Sequence, residues 1–283
     1  QTMIEFTDCT LYDAAILTLL DINMLKTLFS VALLFLGYIS IVNATVVEFK
    51  TSQGAFQVNL FDQSTPKAVE NFLNYVDEQH YTNAVIHRVA PSFVVQGGGF
   101  TFEGDLPLTR IDTNSPVINE PVYSNVKGTI AMAKLANNPD SATDQWFFNL
   151  ANNASNLDKQ NGGFTVFGQV IGDGMKVIEK IAQLQLCDKS SNGDGIPVAI
   201  DSTVQRCADI SGLSIENFVV IEHITIIDSS SVTDADLSPT KNTLLSQASE
   251  PEKSSSGGAM AWLSLFVLFI TAHRKLNTTI RLD

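Results

Sequence analysis

Cysteine, cationic charge and metal-ligand clusters are all scarce in this sequence, and each scarcity removes a class of function. Three cysteines occur in 283 residues, too few for a disulfide framework to stand in for a hydrophobic core. Lys and Arg number 17 against 30 Asp and Glu, a formal net charge of −13. With no basic cluster to displace counterions from phosphates, the sequence argues against a nucleic-acid partner. His80, His87, His223 and His273 are scattered and offer no metal-ligand spacing, so neither a metal nor a cofactor is expected. What is present is an apolar fraction of 45%, enough to build a real core in one large domain or two modest ones.

The two ends carry targeting patterns. From Met24 the chain reads Met-Leu-Lys-Thr, then an apolar run from Leu28 to Val42, then Asn43-Ala44. A short basic start, an apolar stretch and a small terminal residue make a signal peptide over residues 24–44, with cleavage expected after Ala44. An uncleaved anchor is the alternative, for which the run is on the short side. Residues 1–23 lie upstream of that start and are read as non-native or mis-set sequence, or else as a real extension. After Asp228, residues 229–256 are rich in Ser, Thr, Asp, Glu and Pro and read as a flexible linker. Residues 257–283 hold Gly257-Gly258, an apolar run from Ala259 to Ala272 and the basic group His273-Arg274-Lys275. That tail is similar to the tripartite Gly-Gly sorting signals of some Gram-negative bacteria. A plain membrane anchor and a lipid-anchor signal are its competitors. All three readings place the middle of the chain outside the cytoplasm, in the periplasm or at the cell surface.

That middle, residues 45–228, reads as many short strands with two helices. Val46 to Thr51 and Ala55 to Phe61 make a hairpin, the second run alternating Phe56, Val58 and Leu60 with Gln57 and Asn59. A helix follows, with Thr65 as cap, Pro66 in its first position and Val69, Phe72, Leu73 and Val76 on one face. Further β-type runs are Val85 to Val89, Thr129 to Met132, Trp146 to Leu150 and Thr165 to Ile171. A second helix at about Met175 to Leu184 turns Val177, Ile178 and Ile181 inward. The last run, Phe218 to Ile227, is almost continuously apolar, as in a strand covered on both sides. The pattern predicts a mainly β fold, a closed β-barrel capped by helices.

Cys187 and Cys207 are spaced to close a modest surface loop by one disulfide in an oxidising compartment, or are two unrelated thiols. Between them, Asp188 to Gly195 places oxygen-bearing side chains at alternate positions like the start of a calcium loop. Ala199 stands where the bidentate Glu belongs, so a polar turn is the first reading. Asn153-Ala154-Ser155 is formally a glycosylation sequon.

The segment from Ile86-His87-Arg88 through Phe93-Val94-Val95-Gln96-Gly97-Gly98-Gly99-Phe100 closely resembles the signature of the cyclophilin-type peptidyl-prolyl cis/trans isomerases. Met132-Ala133, Gln145-Trp146-Phe147-Phe148, Leu157-Asp158 and Phe164-Thr165-Val166-Phe167-Gly168 resemble that family's later blocks in the same order. The resemblance covers about residues 46–228 and is closest to the exported bacterial type. It implies an eight-stranded antiparallel barrel with two capping helices, a monomer, and proline-containing exported polypeptides as partners. It implies Arg88 and Gln96 as catalytic residues, and Phe93, Val94, Ala133, Gln145, Phe147, Leu157 and Phe164 as substrate-binding. Asn156 stands where an aromatic residue helps bind cyclosporin in sensitive members, and Val94 where Met is common, so weak drug binding is expected. Singly, each aromatic could be ordinary core and Arg88 a surface charge; the joint arrangement points to a site. A cyclophilin-like module or chaperone that grips proline segments without turnover is the competing reading.

Overall fold

The structure is a computed structural model that describes residues 45–187, 193–200, 213–229 and 237–245. β1 (Val46–Thr51) and β2 (Gly54–Leu60) form the anticipated hairpin, pairing from Val46 with Asn59 to Thr51 with Gly54. Thr45 opens it, buried, its backbone N–H donating to Asp62 Oδ2 and its hydroxyl to Oδ1, both at 2.9 Å. Helix α1 (Pro66–Asp77) buries Ala68, Val69, Phe72 and Tyr75. Thr65 holds the cap position without capping, because its hydroxyl donates back to the Phe61 carbonyl at 3.3 Å. Glu120 takes over from a distant loop, its carboxylate accepting from Ala68 N–H at 2.9 Å and Lys67 N–H at 3.3 Å.

The remaining elements are β3 (Arg88–Ala90), β4 (Val94–Gly97), β5 (Phe100–Thr101), β6 (Thr109–Arg110), β7 (Thr129–Met132), β8 (Trp146–Asn149), α2 (Ala154–Leu157), β9 (Val166–Ile171), α3 (Gly174–Ala182), β10 (Gln185–Cys187), β11 (Ile196–Val198) and β12 (Ile221–Asp228). Eight of these strands form one curled antiparallel sheet in the order β12-β1-β2-β9-β7-β8-β4-β3. The ladder is open, which corrects the expected closed barrel. The cause lies in Val85 to Val89, which does not run as one strand: β3 begins at Arg88, and Val85 makes an isolated bridge to Val220. The gap between β3 and β12 is spanned by loop hydrogen bonds, Ile86 N–H to Val219 O at 2.9 Å and Ile221 N–H to Ala84 O at 2.8 Å. β12 is therefore an edge. Its apolar sequence implied cover on both faces, yet Ile226 and Ile227 are 43% and 47% exposed, because β1 is its one ladder neighbour and the strand runs past the core after Ile224.

The concave side of the sheet holds the main core with α1 and α3 packed on it. Phe49 stacks on Phe56 at 5.0 Å between ring centroids, and Trp146 and Phe148 meet Phe49 edge-on. On α3, Ile178 and Ile181 are buried and Val177 partly so. A smaller cluster of Val85, Cys187, Val198 and Phe218 lies under the β10–β11 hairpin. Cys187 is disulfide-bonded; Cys207, its expected partner, lies outside the described residues, as do residues 188–192, the targeting segments at 1–44 and the tail at 257–283. Within the segment read as linker, residues 237–245 lie on the domain. Ser124 N–H donates to Thr240 O at 2.8 Å, and Asn242 donates its backbone N–H to Val122 O and its side-chain amide to Asp158 O, both at 2.9 Å. Among the described residues no helix is long and apolar enough to cross a membrane.

Candidate active site

Strand register builds the site. Arg88 pairs across with Gln96, Gln96 with Phe147, Phe147 with Ala131, and Ala131 with Val166. Cross-strand partners share a face, so these five side chains form one row across β3, β4, β8, β7 and β9. Their chain neighbours Val89, Val95, Trp146, Phe148, Ile130 and Met132 point the other way, into the main core. The row therefore lies on the outer, convex face, with one end polar and the other apolar.

At the polar end runs a chain of hydrogen bonds. Gln96 Nε2 donates to Gln145 Oε1 at 2.9 Å, and Arg88 Nη1 donates to Gln96 Oε1 at 3.0 Å. On its other edge Arg88 donates Nε–H at 2.9 Å and Nη2–H at 2.6 Å to Asp194 Oδ2. Asp194, read from sequence as part of a polar turn, was missed as a site residue; the turn's sequence gives no sign of which strand it folds onto. The glycine run keeps Gln145 in place. A Cβ on Gly99 would stand 2.6 Å from the Gln145 side chain, and Gly98, at φ +89°, would meet Asp144 O at 2.6 Å.

At the apolar end, Val94, Phe147 and Leu157 are buried together with Phe61, Ala90, Ala131 and Val166, and Phe93, Ala133 and Phe164 pack against them half-buried. Phe147 and Phe164 meet edge-on at 5.8 Å. All seven residues expected to bind substrate thus come together, six in this cluster and Gln145 in the hydrogen-bond chain beside it. Asn153 and Asp158 hold the cluster's rim and were not foreseen. Asn153 Nδ2 donates to Phe93 O at 2.9 Å and to Asn149 Oδ1 at 2.7 Å, which removes the sequon's amide from the surface. Asp158 accepts from Asn125 N–H at 2.8 Å and from the Ser124 hydroxyl. Asn156 is exposed one residue before Leu157.

Beside the row, at Gln96, opens a groove of about 350 Å³ whose lining includes Gln96, Arg110, Ala133, Lys134, Asp144 and Gln145. Lys134 sits with Nζ 4.8 Å from the Phe164 ring centre and donates to Gly163 O at 2.6 Å. Burial lowers its pKa to about 8. His87, beside Arg88, is lowered to about 4, first by burial and further by the Arg88 charge, so it is neutral at physiological pH. Among the described residues no group of His, Cys, Asp and Glu is arranged to hold a metal.

A half-barrel whose outer face presents a fixed guanidinium and a glutamine amide beside an apolar aromatic cluster defines the class of site. Known proteins place it further. A family model described as cyclophilin type peptidyl-prolyl cis-trans isomerase/CLD matches residues 46–204. A peptidyl-prolyl cis-trans isomerase of Acinetobacter baylyi is 41% identical over 143 residues, 50% of this chain and 73% of its own. Isomerase A of Dickeya dadantii is 40% identical over 176 residues, 61% and 84% of the two chains, and isomerase B of Escherichia coli 38% over 142 residues, 48% and 83%. This chain belongs to the cyclophilin-type peptidyl-prolyl cis-trans isomerases.

Proposed function

We propose that the protein accelerates rotation about Xaa–Pro bonds in exported polypeptides, with Arg88 as its catalytic cation. The observation that carries this is the placement of Arg88, hydrogen-bonded to Gln96, which is in turn next in the row to Phe147 and its apolar cluster. Rotation about an X–Pro bond meets a barrier of ~18–20 kcal/mol because the nitrogen lone pair is delocalised into the carbonyl. Turning the bond localises that pair, and a guanidinium then finds an acceptor that the planar ground state lacks. Acceleration by ~10⁴-fold needs roughly 5–6 kcal/mol, within the range of one charge-assisted hydrogen bond together with the desolvation the bound peptide brings. Phe93, Val94, Phe147, Leu157 and Phe164 hold the ring still. Gln96 pairs with the peptide backbone, and Ala133 and Gln145 line the groove for the preceding residues. The reaction needs no nucleophile, metal or cofactor.

The exported setting is supported by the basic-apolar-small pattern over residues 24–44 and by the disulfide at Cys187, a bond that persists in oxidising compartments. The domain acts as a monomer in the periplasm or at the cell surface, held or processed through the 257–283 tail. Exposed Asn156 leaves no aromatic wall for cyclosporin, so the drug binds weakly.

The test compares the protein with its Arg88→Ala variant in an isomerisation assay on a Xaa–Pro peptide. The variant should keep its circular dichroism and lose about 10²-fold or more of kcat/KM. If both proteins bind proline peptides and neither speeds the slow phase, the domain is a binding module and the catalytic assignments fall.

A further inference from the structure

A guanidinium carries five N–H donors, and three of those of Arg88 are engaged: one by Gln96 Oε1 and two by Asp194 Oδ2. Asp194 reaches the arginine because its backbone is locked in register with β3. Val89 N–H donates to Gly195 O at 2.7 Å and Gly195 N–H to Val89 O at 3.1 Å. Asp194 therefore stands diagonally across from Arg88 on the same face of the sheet. From Gly195 the chain runs directly into β11, which pairs with β10 from Cys187 with Ile196 to Gln185 with Val198, over the buried cluster of Val85, Cys187, Val198 and Phe218. An ordinary surface ion pair has neither a backbone register nor a buried anchor beneath it. The side chain of Asp194 is only 20% exposed.

We propose that Asp194 is a positioning residue for Arg88. Its carboxylate clamps the Nε and Nη2 edge while Gln96 takes Nη1, and the two N–H groups left over stay aimed at the peptide. The two side-chain hydrogen bonds of the Asp194 carboxylate both go to Arg88, so it acts through the arginine. The inference rests on the reading of Arg88 as the catalytic cation. An arginine held by Gln96 alone keeps freedom about its terminal torsions and must recover its productive geometry in each turnover, a loss that falls on kcat.

The experiment measures isomerisation by the full protein and its D194A, D194N and R88A variants, with thermal unfolding of each and the NMR signal of the Arg88 Nε–H. D194A should lower kcat roughly tenfold with KM changed less than about twofold, and should shift the unfolding temperature by less than about 2 °C. D194N, whose amide oxygen accepts the same two bonds, should regain most of the rate and return the Nε–H signal towards its original position. Should D194A fail to fold, D194N and the Nε–H signal decide alone. The proposal is overturned if D194A turns over at the original rate or faster, if its loss falls on KM, or if D194N does no better than D194A. R88A separates the two ideas: an active R88A removes the catalytic arginine itself, whereas an inactive R88A beside an unimpaired D194A removes only the role of Asp194.

Discussion

Trp146, Phe147 and Phe148 are consecutive aromatic residues that the pleat of β8 sends to opposite faces, and the difference can be measured. Trp146 and Phe148 fill the main core against Phe49. Trp146→Ala should cost about 3–5 kcal/mol of stability, read from a denaturant midpoint. Phe147 lies on the outer face against Phe164; Phe147→Ala should leave a smaller stability defect and a drop of about tenfold or more in kcat/KM. Asn156→Trp is expected to raise cyclosporin affinity with little change in turnover, by titration of the new indole's fluorescence, since the position is exposed beside Leu157. His87 ties the site to pH through stability rather than chemistry. Its folded pKa of about 4 lies below the ordinary 6.5 because burial disfavours the charged form. Its contribution is complete above pH 6.5 and is lost as pH falls towards 4, while the unfolded chain takes up the proton. Replacing His87 by Gln should flatten the dependence of unfolding temperature on pH in that window.

The elements differ in how far the sequence announced them. Thr129 to Met132 was legible to the residue, since both flanks change character and the run is wholly buried. Val85 to Val89 reads equally well as a strand and is one only from Arg88, because its earlier residues are drawn to Val219–Ile221 across the gap in the sheet. The outer-face row was legible through linked motifs, which fix Arg88, Gln96 and Phe147 at spacings that strand register turns into neighbours. The contact of Asp194 with Arg88 joins positions 106 residues apart, and no local pattern encodes that. Periodicity could not show that Glu120 caps α1, for the same reason. The β10–β11 hairpin offers a test at this scale. Reducing the disulfide of Cys187 should raise hydrogen exchange at the amides of Val89 and Gly195 before the rest of the sheet responds. Peptide mapping of the unreduced protein should recover Cys187 linked to Cys207.

For the molecule as a whole, the −13 charge leaves two cations, Arg110 and Lys134, lining one groove on an acidic body, with Arg88 reaching it through Gln96. Whole-protein acidity serves solubility, and the sheet's outer face sets those side chains beside the apolar cluster around Phe147. The start of the folded domain carries a consequence of its own for maturation. Thr45 is buried, and its backbone nitrogen sits against the Asp62 carboxylate. If the leader is cleaved after Ala44, that amide becomes an ammonium group facing the same carboxylate, and a neutral donor becomes one half of an ion pair. A leader peptidase would then have to act while Thr45 is still reachable, before the hairpin closes over it. In that case the new chain end would fasten the first strand, with Asp62 as the latch that distinguishes a processed domain from its precursor.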